Sequence, residues 1–120
     1  PPDAMIPARG RLIVARDPAA FTAYYGSMPA GVAVLGPFEN GTKLDNAGER
    51  LQLSMPGDQE YGQERYWIRI DRVNYDDEAP WPLEADGLGK SLSQKTPDVA
   101  GANYGNDVIN WHATDPSPGQ

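Results

Sequence analysis

The stretch Arg72-Val73-Asn74-Tyr75-Asp76-Asp77-Glu78-Ala79-Pro80-Trp81-Pro82-Leu83-Glu84-Ala85-Asp86-Gly87-Leu88-Gly89-Lys90-Ser91-Leu92 decides how the rest of the chain is read. It reads as a strand ending at Val73-Asn74-Tyr75, an irregular acidic loop, and a new strand from Ser91. Two prolines flank Trp81. Each fixes its own φ near −65° and drives the preceding residue toward extended backbone. Covalent geometry therefore orders the loop and holds Trp81 in place, as an anchor that buries a large apolar area. The loop is expected to cross the end of a β-sandwich and plug it with Trp81.

Working outward, Tyr66 to Tyr75 carries the longest strand signal. Trp67 is in phase with Arg69, Asp71, Val73 and Tyr75, while Ile68 and Ile70 take the other face. That mixture predicts a central strand partly covered on both sides. Arg50 to Met55 alternates polar and apolar, a half-buried strand with Leu51, Leu53 and Met55 inward. Further strands are expected over 11–16, 32–35, 91–95 and 108–111, with Trp111 buried. Asp17-Pro18 opens a short helix through Tyr25, Asp at the N-cap and Pro at N1, and Gly26 stops it. Phe21 with Tyr24 or Tyr25 gives it one apolar side. Asn40-Gly41-Thr42 fits a glycosylation sequon but is read as a tight turn. Residues 1–10 read as an extended lead-in, 97–106 as a Gly- and Asn-rich loop, and 115–119 as a linker.

Composition sets the outer bounds. The length of 120 residues suits one domain, over 1–120, and Gly 13 and Pro 12 together favour turns and short strands. The net charge of −7, with ten scattered Lys and Arg, speaks against nucleic acid and anionic membranes. No apolar run approaches the ~18 residues of a spanning helix. The absence of Cys removes disulfides and thiolate chemistry. A start at Pro1-Pro2-Asp3 without Met or signal peptide suggests a processed product or a piece of a longer polypeptide.

Candidate sites were weighed against plainer roles. Asp76, Asp77, Glu78, Glu84 and Asp86 could offer oxygen ligands to calcium, yet their spacing does not match the D-x-[DN]-x-[DN]-G loop. Turn capping and solvation are the preferred reading, with no cofactor required. Gly89-Lys90-Ser91 imitates the end of a P-loop. Glu84 stands where the motif needs Gly and a strand follows where it needs a helix, so the motif is rejected. His112 is the sole His, no G-x-S-x-G motif accompanies it, and it is read as a packing or surface residue. Trp67, Trp81, Trp111 and the six Tyr could form a sugar-stacking platform, but in a small sandwich aromatics are expected in the core, with the three Trp as anchors.

Four segments resemble the lamin-tail domain in its bacterial form. They are Ile6 to Asp17 (I-P-A-R-G-R-L-I-V-A-R-D), Leu44 to Leu53 (L-D-N-A-G-E-R-L-Q-L), Val73 to Leu92, and Asn110 to Gly119 (N-W-H-A-T-D-P-S-P-G). The resemblance implies an all-β, immunoglobulin-like β-sandwich with one short helix near 18–25. It also implies a non-enzymatic structural or interaction module of an extracellular or cell-envelope protein. An accessory module for carbohydrate or calcium on a secreted enzyme, and a subunit of an extracellular assembly, are the alternatives. No rod-like segment accompanies it, so the nuclear roles of animal lamins do not carry over. In that family the Ile-Pro-Ala-x-Gly segment follows strands that have no counterpart here. Six strands are counted where such a sandwich needs about seven. The expectation is that an upstream segment or a protein partner supplies the missing strands and covers the apolar face, the alternative being a smaller fold closed by residues 1–10.

Overall fold

The computed structural model describes residues 4–96 and 104–120, so most of the expected loop over 97–106 lies outside the described residues. The described residues are strand-rich, with one α-helix and three two-stranded sheets. The chain gathers into two compact units, one of residues 1–44 with 116–120 and one of residues 45–115.

The first unit is built from β1 (Leu12–Val14), α1 (Pro18–Tyr25) and β2 (Ala33–Leu35). Before β1, Ile6-Pro7-Ala8-Arg9-Gly10 closes a tight turn, with Gly10 N–H donating to the Pro7 carbonyl at 2.7 Å. β1 and β2 pair in parallel, Leu12 opposite Ala33 and Val14 opposite Leu35. The helix is therefore the crossover between two parallel strands. Its ends follow the residue chemistry. Asp17 accepts a hydrogen bond from Ala20 N–H at 2.9 Å, and Gly26 terminates it with φ 77°. Phe21 and Tyr25, one turn apart, bring their rings to 4.9 Å. The pairing extends one residue further, Ala15 N–H donating to the Leu35 carbonyl at 2.8 Å. Gly36 follows with φ 138°, and a Cβ there would lie 2.0 Å from the Ala15 carbonyl oxygen. Only glycine fits that approach. Asn40-Gly41 is a turn, as expected, with φ 56° at Asn40 and 68° at Gly41.

The second unit holds two antiparallel pairs. β3 (Gly48–Pro56) and β4 (Trp67–Asp76) form a long hairpin. Its loop is ordered by Arg65, whose guanidinium donates to the Gly57 carbonyl at 2.9 Å and to Gln59 at 3.3 Å. β5 (Ser91–Gln94) and β6 (Trp111–Thr114) form the second pair, Ser91 opposite Thr114 and Gln94 opposite Trp111. The last strand thus begins where sequence expected it to end. Val108–Asn110 is a 3-10 turn instead, because Asp107 accepts from Ile109 N–H at 3.3 Å. The core here is formed by Trp81 and Trp111, ring centroids 6.2 Å apart. Trp111 donates its indole N–H to the Gly105 carbonyl at 2.9 Å. Both tryptophans are half-buried, and the 3-10 turn Leu83–Ala85 lies against β5 and β6.

Burial is shallow. Among the described residues the one buried apolar side chain is Ala15, at 8% exposure. Val14, Leu51 and Ile70 are exposed and Leu12 is half-buried.

Candidate functional site: the two faces of the hairpin

The β3–β4 register carries one irregularity. Leu53 pairs with Asp71 and Ser54 with Arg69, so Ile70 has no partner. This is a β-bulge, and it resets which side chains share a face. On one face Leu51 meets Val73, Leu53 meets Asp71 and Met55 meets Ile68, with unpaired Ile70 beside them. On the other, Arg50 meets Asn74, Gln52 meets Arg72, Ser54 meets Arg69 and Pro56 meets Trp67. Hydrogen bonds agree: Arg50 Nε donates to Asn74 Oδ1 at 3.1 Å, and Gln52 Nε2 donates to Ser54 Oγ at 2.9 Å.

Two sequence expectations are corrected by the bulge. The strand over 66–75 is not a centre strand covered on both sides; its mixed pattern is an amphipathic hairpin with one extra residue. Trp67, expected as a buried anchor, is 59% exposed because the bulge leaves it on the polar face. The signal was present in sequence. Apolar residues occupy even positions at Ile68 and Ile70 and odd positions at Val73 and Tyr75, and such a change of phase marks an inserted residue. The same change brings Arg69, Arg72 and Arg50 together, although the basic residues look scattered along the chain.

The apolar face is open. Leu51, Leu53, Met55, Ile68 and Ile70 are between 38% and 54% exposed. It closes toward Val73, which is half-buried, and Tyr75, whose hydroxyl donates to the Asp45 carbonyl at 2.6 Å. Burial, then the nearby Glu49 and Asp45 carboxylates, raise the Tyr75 pKa above its ordinary value near 10. Along its outer edge β4 is bordered by the turn Tyr104–Asn106, Asn74 N–H donating to Asn106 Oδ1 at 3.0 Å.

The remaining candidates do not converge. Asp76 accepts from Glu78 N–H at 3.1 Å, a turn-capping role. Among the described residues no three His, Cys, Asp or Glu side chains stand close enough to hold a metal, so Asp76, Asp77, Glu78, Glu84 and Asp86 are not brought together as one ligand set. Lys90 pairs with Asp115 at 2.6 Å on the surface, where such a pair contributes little. His112 is exposed opposite Ser93, whose hydroxyl turns to Thr114 Oγ1 at 2.7 Å. In the first unit a cleft of about 470 Å³ is lined by Tyr25, Met28, Pro29, Pro116 and Pro118, among others. Tyr25 is the one titratable group lining it, which gives it no evident chemistry. Among the described residues no helix is long and apolar enough to cross a membrane. Comparison with protein-family models, curated proteins and solved structures gave no match.

Proposed function

We propose that this chain is a non-enzymatic interaction module of an extracellular or cell-envelope protein. In this reading it is a lamin-tail-like, immunoglobulin-like sandwich completed by a protein segment from another chain or from a longer polypeptide. The observation that carries the proposal is the open apolar face of β3–β4. A two-stranded hairpin with no third strand and no covering layer is marginal in water by itself. This one carries five large apolar side chains on one face, each between 38% and 54% exposed. A strand or sheet laid across that face would form the second layer of a sandwich, about 10 Å away. The resemblance of residues 6–17, 44–53, 73–92 and 110–119 to the lamin-tail pattern, which has strands preceding Ile-Pro-Ala-x-Gly, supports the same reading. An exposed lone His112 and a Ser93 hydroxyl held by Thr114 support a binding role over hydrolytic chemistry.

The test places a single cysteine at Leu53, labelled with a polarity-sensitive fluorophore. The isolated chain should emit as in water. The same label in the polypeptide expressed from the native coding sequence, or in its native assembly, should shift to the blue. Water-like emission in both settings, or blue emission already in the isolated monomer, would overturn the proposal.

A further inference from the structure

The opposite face of the same hairpin carries a second, independent surface. Along it lie Trp67, Arg69, Arg72 and Arg50, interleaved with Ser54, Gln52 and Asn74, and one carboxylate, Asp76, stands at its far end opposite Gly48. The row runs roughly 20 Å, at ~3.3 Å per strand residue. Arg50 and Arg72 are diagonal neighbours across the strands, ~7–8 Å apart at Cα. In a chain with 17 acidic residues, three arginines on one face would be expected to find carboxylates. They do not: the ion pair among the described residues is Lys90–Asp115. Arg69, Gln52 and Asn74 are exposed and Arg72 is half-buried.

We propose that this face binds a linear polysaccharide bearing carboxylates, a polyuronate. Charge complementarity is the first argument. The face gathers three of the ten cationic residues on a chain of net charge −7, which favours an anion there. The second is donor geometry. An arginine fork meets a carboxylate through two parallel hydrogen bonds, and spaced forks suit charges spaced along a polymer. The third is what stands between the arginines. Gln52, Ser54 and Asn74 offer amide and hydroxyl partners suited to sugar hydroxyls, and exposed Trp67 at the end of the row offers an apolar ring face for a sugar ring. A nucleic-acid strand would call for several aromatics to stack successive bases and would bring a denser charge against an acidic protein.

The experiment is titration of the 120-residue chain with polygalacturonate by calorimetry. Neutral dextran, poly-glutamate and oligo-dT serve as comparison ligands. Polygalacturonate should bind, more weakly as salt rises, and the three comparison ligands should bind at least about tenfold more weakly. Arg69→Gln/Arg72→Gln should lose about tenfold or more in affinity, the scale of one or two charged hydrogen bonds. Trp67→Ala should weaken polygalacturonate binding too. Arg11→Gln/Arg16→Gln, the same charge change in the other unit, should leave it unchanged, as should Leu53→Asn on the apolar face. These substitutions are on exposed or half-exposed positions, and circular dichroism matching the parent confirms folding. No binding of polygalacturonate, equal binding of poly-glutamate or oligo-dT, or equal loss in the Arg11/Arg16 control would overturn the proposal.

Discussion

The two antiparallel pairs of the second unit have similar chemistry and opposite fates. β5–β6 is four residues long, yet all of Ser91–Gln94 is half-buried, because the Trp81 loop and the Leu83–Ala85 turn come back over it. β3–β4 is nine and ten residues long, with a richer apolar set, and most of it is exposed. Hydrogen-bonded length does not determine burial. What differs is a covering element: the proline-framed loop supplies one for the short pair, and the long pair has none among the described residues. A loop ordered by covalent geometry can act as a layer, whereas a hairpin with a well-formed ladder still needs one.

The comparison is most sharply broken at Trp81. Trp81→Ala removes the layer over β5–β6 and its contact with Trp111, and should cost about 2–3 kcal/mol, below the ~3–5 of a fully buried Trp since this one is half-buried. Urea unfolding midpoints measure it. A parent-like midpoint would mean that the short pair is not held by its loop.

Gly48→Ala attacks the long pair through its backbone. Gly48 has φ 112°, and a Cβ there would stand 2.7 Å from the Tyr75 carbonyl oxygen. The expected loss is about 1–3 kcal/mol, with loosened hydrogen-exchange protection confined to β3–β4. Loosening spread equally over β5–β6 would show that the two pairs do not behave separately.

A smaller effect concerns Tyr75 at the closed end of the hairpin. Its pKa is raised in the fold by burial and by Glu49 and Asp45. The neutral phenol is favoured, so its contribution is fully present below pH 10, the unfolded value, and is lost as pH rises through the higher folded value. Tyr75→Phe should flatten the decline in stability above pH 10. An unchanged alkaline slope would place the titration elsewhere.

Local elements were legible because their causes are local. Asp17, Pro18 and Gly26 bound the helix by capping chemistry, and Asn40-Gly41 gave its turn by φ preference. The strands over 12–14, 33–35, 48–56, 67–76 and 91–94 followed from β-branched and alternating residues. What sequence concealed depends on pairing partners far along the chain. The parallel match of β1 with β2 is one such pairing. The bulge at Ile70 exists only once Leu53 and Asp71 are opposed, and it alone moves Trp67 outward and aligns Arg50, Arg69 and Arg72. The change of phase between Ile70 and Val73 was the trace it left in sequence.

Among the described residues the apolar face of β3–β4 stands open. The most direct measurement is the stability of Leu53→Asn/Ile70→Asn. Solvent-facing positions tolerate such changes within about 0.5 kcal/mol, so the urea midpoint should stay with the parent while binding of a hydrophobic dye falls. A loss of about 2–5 kcal/mol, the scale for buried apolar side chains, would show that the chain covers this face itself, and would contradict the account.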